Sequence, residues 1–423
     1  MQNIQSLLVY LIIFFGVVNL IRMAVFLIGS DIYNLQTHLN RRKKITSLPA
    51  ISIIIPAFNE AKSIIACVKS VLNSNYPRKL LQIIVVDDGS SDNTLDILEE
   101  YSLEMKINQL KIISQKNSGK ANALNNGLKN YADGELVMCL DADSVIDKNA
   151  LFNSVKYFRN PRVAAVASNV KIVNGKSILN FLQLFEYIIG HQLKKAQTVY
   201  NIEYIIGGVG SIFRRKLLKS LNYFDEDTVT EDIDMTMKIL RLGNKKVRVM
   251  YASDVIAFTQ GALTVKDLIR QRHRWKWGRN QTFFKNREMF FTRNKEFTKG
   301  FTWIHLPYAV YNDFAFFFEP LILSFMFYLI IANKDIFTLL SAMTVISIYF
   351  TFIVLGEQTL ANRDKIKLII FSPVLYFLFY ILNFVEYVAL IKALINLPNL
   401  RRSLAENRCG WTPIRKTGTL GTV

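Results

Sequence analysis

Leu81-Gln82-Ile83-Ile84-Val85-Val86-Asp87-Asp88-Gly89 is an apolar, β-branched run that stops on two carboxylates and a glycine. Leu136-Val137-Met138-Cys139-Leu140-Asp141-Ala142-Asp143 repeats the pattern further on, and Ile51 to Ile55 precedes both. Short runs of this kind read as strands buried on both faces, the habit of a parallel sheet. Helix-like segments separate them. Ala61 to Leu72 carries apolar residues at helical spacing and closes on Asn73-Ser74-Asn75-Tyr76-Pro77, a stop signal. Ser90-Ser91-Asp92-Asn93-Thr94 offers N-caps to a helix through Leu98, and Lys120 to Leu128 begins a helix after the Ser118-Gly119 turn. From Leu48 to about Val255 this alternation predicts an α/β domain, a mostly parallel sheet with helices on both faces. Such sheets bind ligands at the carboxyl ends of their strands, where both acidic clusters fall. Carboxylates spaced Asp-x-Asp supply the hard oxygens that suit Mg2+ or Mn2+ together with substrate phosphates.

The flanks differ in character. Of 423 residues, 51% are hydrophobic, a high share for a protein wholly in water. Leu7 to Ile28 is one apolar stretch of spanning length, interrupted by Arg22, whose side chain can snorkel to the interface. A signal peptide would carry its basic residues before the apolar run. Here Arg41-Arg42-Lys43-Lys44 follows it, which by the positive-inside rule puts the N-terminus outside and the α/β domain inside. Three more apolar stretches come later, about Tyr308 to Ala332, Ile336 to Gly356 and Leu368 to Leu394. The expected layout is a transmembrane helix in residues 1–30, the α/β domain at 48–260, amphipathic interface helices at 261–300, transmembrane helices at 301–396 and a basic tail at 397–423. One span before the domain and three after it leave the C-terminus outside, whereas Arg401, Arg402, Arg408, Arg415 and Lys416 argue for inside. Either the last stretch, with Pro373, Asn383 and Glu386, is broken or re-entrant, or one apolar stretch lies in the interface.

A net charge of +19 admits nucleic acid, anionic lipid or an acidic substrate as partner. The basic residues crowd around the apolar segments. Between Lys266 and Lys299, Arg, Lys, Phe and Trp mix with few acids, a blend that suits helices lying on a membrane surface. No nucleic-acid module is legible, so lipid headgroups and sugar-nucleotide phosphates explain the charge better than nucleic acid does. Cys67, Cys139 and Cys409 have neither metal-ligand nor disulfide spacing. Cys67 and Cys139 lie in apolar runs and read as core, and the domain is expected to face a reducing cytoplasm. The four histidines, His38, His191, His273 and His305, are scattered and spell no zinc site.

Several local patterns occur in order. They are Ile55-Pro56-Ala57-Phe58-Asn59-Glu60, Val86-Asp87-Asp88-Gly89-Ser90, Gly119-Lys120-Ala121-Asn122-Ala123-Leu124-Asn125, Asp141-Ala142-Asp143, Thr230-Glu231-Asp232 and Gln271-Arg272-His273-Arg274-Trp275. Each is weak alone; in this order they resemble the processive family-2 glycosyltransferases, the cellulose, chitin and hyaluronan synthases and bacterial poly-N-acetylglucosamine synthases. The motifs cover roughly Leu48 to Lys285. Lys120-Ala121-Asn122-Ala123-Leu124, Thr230-Glu231-Asp232, the single leading span and Trp411-Thr412-Pro413-Ile414-Arg415 look most like the poly-N-acetylglucosamine synthases.

The resemblance implies a GT-A-like catalytic domain and a role for each matched residue. Asp87 and Asp88 match the aspartates that recognise uridine, and Lys120 a lysine on the diphosphate. Asp141 matches a residue facing ribose and uridine, and with Asp143 it matches the metal ligands. The chemistry asks for such a set, because a pyrophosphate leaving group needs its charge neutralised by a divalent cation, Mg2+ or Mn2+. Asp232 matches the general base of an inverting displacement, a role that wants a raised pKa. Glu231 beside it belongs to the same catalytic pair and supports the helix or the acceptor site. Arg274 matches a residue on the nucleotide pyrophosphate, a job suited to guanidinium. Gln271 and Trp275 match acceptor contacts that sustain processivity, as does Gly208 within Gly207-Gly208-Val209-Gly210-Ser211, where small residues let a sugar approach. Plain readings stand beside these: a strand-end turn for Asp87-Asp88-Gly89, and an N-terminal helical turn for Thr230 to Asp234.

The function so implied is a processive, inverting β-glycosyltransferase that elongates an extracellular polysaccharide from a UDP-sugar, UDP-N-acetylglucosamine first among candidates, with coupled export. Its expected place is the bacterial cell membrane, multi-pass, with the catalytic domain cytoplasmic. Its partners would be the UDP-sugar, the growing glycan, membrane lipids and, left open, a small membrane accessory subunit or export machinery. A non-processive transferase acting on a lipid carrier is the alternative, and a nucleotide-binding scaffold a third reading. Asn312, Asp313, Glu319, Asn383 and Glu386, polar groups in apolar stretches, are candidates for a glycan path. Against that, Asp313 could lie at the cytoplasmic interface and Glu386 could simply pair with Lys392.

Overall fold

Isoleucine and valine fill the strands because they fit a pleated surface covered on both sides. The structure, a computed structural model, describes residues 2–40, 47–173 and 177–405. Its eight strands are β1 (Ile51–Ala57), β2 (Leu81–Asp87), β3 (Leu110–Ser114), β4 (Leu136–Cys139), β5 (Ser144–Ile146), β6 (Val163–Ile172), β7 (Ser211–Arg214) and β8 (Arg248–Thr259). They form one sheet in the order β3-β2-β1-β4-β7-β6-β8-β5. The β3-β2-β1-β4 half is parallel throughout. Beyond it β7 runs antiparallel to both β4 and β6, β8 parallel to β6, and β5 antiparallel to β8. The sheet is therefore mixed, with its wholly parallel half at the amino-terminal side of the domain.

Helices α1 (Gln2–Asn40), α2 (Ile64–Leu72), α3 (Thr94–Met105), α4 (Lys120–Asn130), α5 (Ala150–Val155), α6 (Ile178–Tyr200), α7 (Arg215–Ser220) and α8 (Glu231–Leu240) are followed by α9 (Val265–Lys285), α10 (Leu306–Ala332), α11 (Ile336–Gly356) and α12 (Asn362–Ile395). Alternate residues of a strand face opposite sides. Thus Ile53, Ile55, Ile83 and Val85 pack with Ile64, Cys67, Val68 and Val71 of α2, while Ile54, Ile84 and Val86 pack with Ala123, Leu124 and Leu128 of α4. Each such buried side chain contributes about 1.5–3 kcal/mol. Gly127 is what lets α4 lie this close, since a Cβ there would stand 2.9 Å from Ile54 Cγ2. Cys67 and Cys139 are buried and free.

Among the described residues four helices are long and apolar enough to cross a membrane, over Gly16–Leu39, Gly300–Ala332, Ile336–Gly356 and Phe377–Ile395. The first differs from expectation. α1 runs to Asn40, ten residues past the expected end at 30, because its last turns are held by the α/β domain. Tyr33 is buried in the core and donates to the Tyr251 carbonyl at 2.9 Å, and Ser30 donates to Gln192. α12 is one continuous helix despite Pro373, so the idea that the last stretch is broken falls. α6 joins the two regions, its Phe185 ring lying 4.9 Å from Phe350 and 5.6 Å from Phe379. The Arg41 to Lys44 cluster, Arg408, Cys409, Trp411 to Arg415 and Lys416 fall outside the described residues.

Candidate active site

β4 ends at Cys139, and the chain turns so that the Ser144 amide donates to the Asp141 carbonyl at 3.0 Å. That leaves Asp141 and Asp143 at the carboxyl end of a central strand. Lys120 opens α4 on the neighbouring crossover, after Gly119 at φ +94°, a backbone state that favours glycine. The Lys120 ammonium lies 2.7 Å from Asp141 Oδ1 and 2.8 Å from Glu231 Oε1. Glu231 and Asp232 form the first turn of α8, where the helix dipole favours acids. Gly208 closes the group, since a Cβ on it would stand 3.0 Å from Lys120 Nζ, 3.5 Å from Asp232 Oδ2 and 3.7 Å from Glu231 Oε1. Four segments, far apart in sequence, thus bring Lys120, Asp141, Gly208, Glu231 and Asp232 together.

Electrostatics sets their states. Burial and then the Glu231 carboxylate push Asp232 up to about 6, against the pull of Lys120. Burial opposes the charge on Lys120, yet Asp141, Glu231 and Asp232 outweigh it and hold the ammonium well above its usual range. The result is a permanent cation beside a carboxylate that can exchange a proton near neutral pH. Asp143 is buried, its Oδ1 accepting from Ser144 Oγ at 3.0 Å.

Asp87 and Asp88 play unequal parts. Asp88 is 1% exposed. Its Oδ1 accepts from Gln115 Nε2 at 2.8 Å and the Ser118 amide at 2.9 Å, and its Oδ2 from the Gly119 amide at 2.8 Å. Both its oxygens hold the loop that delivers Lys120, and a carboxylate with three accepted bonds keeps a lone pair for the expected contact with uridine. Asp87, 2% exposed, keeps a buried Oδ1 with no partner. Asn59, at φ 56°, adds a brace, its Oδ1 accepting from the Ser91 and Asp92 amides at 2.7 and 3.3 Å.

α9 carries Gln271, Arg274 and Trp275, all partly buried. It crosses the start of α8 at Gly278, where a Cβ would collide with the Thr230 side chain, and Gln281 Oε1 accepts from the Val229 amide at 3.0 Å. The three residues therefore lie within two turns of the crossing that leads into Glu231 and Asp232. Arg274 Nε is buried without a partner. The basic residues of α9 were expected on a membrane surface. Instead Arg272, Lys276 and Arg279 turn inward onto Glu186, Glu386 and Asp313, since α9 packs along α12 and reaches α6 and α10 from there. Glu386 consequently pairs with Arg272 and Lys276 rather than with Lys392. Glu319 accepts from Asn383 Nδ2 at 2.8 Å, and Asn312 from Tyr308 at 3.3 Å.

One cluster escaped the sequence reading. Asp225, Asp227 and Asp234 bring carboxylate oxygens within 4.8 Å of one another. Lys285, the last residue of α9, stands 2.6, 2.7 and 3.0 Å from them, so the cation there is the chain's own. Burial raises Asp234 to about 6 against the pull of Lys285. Asp225-Glu226-Asp227 is itself an Asp-x-Asp, a signal that could have drawn attention to it.

The family model described as glycosyl transferase family 2 matches residues 52–221. A poly-beta-1,6-N-acetyl-D-glucosamine synthase of Staphylococcus epidermidis is 38% identical over 240 residues, 56% of this chain and 56% of that protein. The synthase of the same name from Staphylococcus aureus strain COL is 32% identical over 289 residues, 66% of this chain and 67% of that one. The chain thus spans little more than half the length of the first of these relatives. Among solved structures, a mannosyltransferase of Pyrobaculum calidifontis in complex with GDP-Man and Mn2+ matches with a TM-score of 0.53 at 20% identity, over 89% of this chain and 96% of that one. That likeness is one of fold.

Proposed function

This chain belongs to glycosyl transferase family 2, and we propose that it is a processive, inverting β-glycosyltransferase elongating an extracellular polysaccharide from a UDP-sugar. The observation that carries this is the Lys120, Asp141, Gly208, Glu231 and Asp232 convergence, in which Asp232 is raised to about 6. Asp232 takes the proton of the acceptor hydroxyl. The freed oxygen attacks the anomeric carbon from the face opposite the diphosphate, the bond to the leaving oxygen breaks, and UDP departs with that electron pair. Lys120 and the Arg274 guanidinium, whose Nε is buried without a partner, meet the diphosphate charge. Asp87 offers its unpartnered oxygen to the uracil, while Asp88 holds the loop before Lys120.

Asp141 and Asp143 fit a hard divalent ion, being carboxylates two residues apart at a strand end with no soft ligand between them. Mg2+ or Mn2+ bound there would supply neutralisation of the leaving diphosphate. Gln271, Trp275 and Gly208 serve the acceptor end. Both relatives named above are poly-beta-1,6-N-acetyl-D-glucosamine synthases, which favours UDP-N-acetylglucosamine as donor. Four helices of spanning length support a place in a membrane; in this reading it is a bacterial cell membrane crossed several times, the α/β domain lies in the cytoplasm and the polymer leaves between the helices. The test is a donor panel on the purified chain in lipid nanodiscs. UDP-N-acetylglucosamine should release UDP and yield glycan in the presence of Mn2+ or Mg2+, and release without glycan, or turnover of other nucleotide sugars alone, would overturn the reading.

A further inference from the structure

Arg272 on α9 joins two carboxylates and an aromatic ring. Its Nη2 lies 2.6 Å from Glu186 Oε2 on α6, and its Nε lies 3.2 Å from Glu386 Oε1 on α12. Its guanidinium carbon sits 4.4 Å from the centre of the Trp275 ring. The second oxygen of Glu386 is 2.8 Å from Lys276, which in turn reaches Asp313 on α10 at 3.5 Å, and Asp313 also pairs with Arg279. A carboxylate within a spanning helix is costly unless it is paired. Glu386, inside the Phe377–Ile395 span, meets that cost with two cations of the helix that also carries Gln271 and Trp275.

We infer that Glu386 is a positioning residue for the acceptor site, acting through Arg272 on the indole of Trp275. Guanidinium is planar, so its edge can bond carboxylates while its face lies on an aromatic ring. Here two edge nitrogens are held by carboxylates from different regions, Glu186 from α6 and Glu386 from a membrane helix. The guanidinium of Arg272 is held by both, and its central carbon lies over the indole. A shift of α12 relative to α6 therefore tilts Arg272 and with it Trp275, which ties the state of the membrane helices to the grip on the acceptor. Glu386 is by this account a tether of α9 and not a group lining the glycan path.

The inference rests on the reading of Trp275 as an acceptor contact, and the test separates the two. The full chain in nanodiscs is supplied with UDP-N-acetylglucosamine, and mean product length and donor KM are measured for wild type, Glu386→Gln, Trp275→Ala, the double variant and Arg272→Lys. Arg272→Lys keeps the charge and loses the planar stack, so it serves if Glu386→Gln fails to fold. Each of the two tether variants should shorten the product roughly three- to tenfold with donor KM unchanged, and the double variant should be no shorter than Trp275→Ala alone, the mark of coupled residues. Wild-type lengths from both tether variants, or a shortening that adds in full to that of Trp275→Ala, would overturn the inference and leave the acceptor role of Trp275 standing. If Trp275→Ala itself gives wild-type lengths, the acceptor reading falls as well.

Discussion

Replacing Asp232 with asparagine should make the protein more stable and nearly inactive at once. Asp232 goes from an ordinary 3.8 to about 6 on folding, a shift of roughly two units at about 1.4 kcal/mol each. A carboxyl raised in this way favours the folded state when protonated, so its contribution is fully present below pH 3.8 and is lost as pH rises through about 6. Above pH 6 the wild type bears the cost of an ionised, partly buried carboxylate, and the neutral amide of Asp232→Asn removes it. The variant should therefore gain up to about 3 kcal/mol at pH 8, falling to roughly half of that at pH 5. Turnover should drop by about 10²–10⁴, the usual worth of a general base, while UDP binding holds. In the wild type the rate should fall about tenfold between pH 7 and pH 5 as the base protonates. Denaturant unfolding at the two pH values, UDP titration and UDP release from UDP-N-acetylglucosamine measure all of this. A variant no more stable than wild type at pH 8, or within tenfold of its turnover, refutes the assignment.

Asp143→Ala should leave folding intact and cost roughly a thousandfold in rate, about 4 kcal/mol of leaving-group stabilisation; Mn2+ binding followed by electron paramagnetic resonance should be weaker in the variant than in wild type, and equal binding would remove Asp143 from the metal site. Gly208→Ala places a methyl 3.0 Å from Lys120 Nζ and should displace the ammonium, lowering the rate about 10- to 100-fold without loss of stability in a melt. Lys285→Met strips the counter-charge from Asp225, Asp227 and Asp234 and should destabilise the fold by about 2–4 kcal/mol, with Lys285→Arg restoring most of it; a neutral result by denaturant titration would show the trio to be well solvated.

Much of the α/β domain was legible because its signals are local. The runs at Ile51, Leu81 and Leu136 are continuous and apolar, and each ends on turn-forming residues. Asp141 could be named for the same reason, at a strand end, whereas Lys120, Glu231 and Asp232 were named through motifs that resemble the processive family-2 glycosyltransferases. What the sequence could not convey was pairing over distance. Lys285 meets Asp225 sixty residues away, and Arg272 meets Glu386 across more than a hundred, partnerships that no periodicity encodes. The short antiparallel strands β5 and β7 depend on neighbours rather than on composition, which is why the mixed half of the sheet was hidden. Hydropathy likewise ended the first helix near residue 30, since Ser30, Asp31 and Asn34 are polar. The α/β domain prolongs it by burying Tyr33.

The ordering of charge around α9 explains why the basic stretch misled. Arginine and lysine beside tryptophan read equally well as a lipid-facing surface and as the inward face of a helix wedged between carboxylates. Only the positions of Glu186, Asp313 and Glu386 decide between them.

The measurement that bears most directly on the account is the size distribution of glycan at low donor conversion. Purified wild-type chain in nanodiscs, given radiolabelled UDP-N-acetylglucosamine and Mn2+, should yield long chains while nearly all of the donor is still unspent, because a processive enzyme keeps its acceptor between additions. A ladder that begins at single additions and lengthens only as donor is consumed, or a single sugar transferred to lipid, would contradict it.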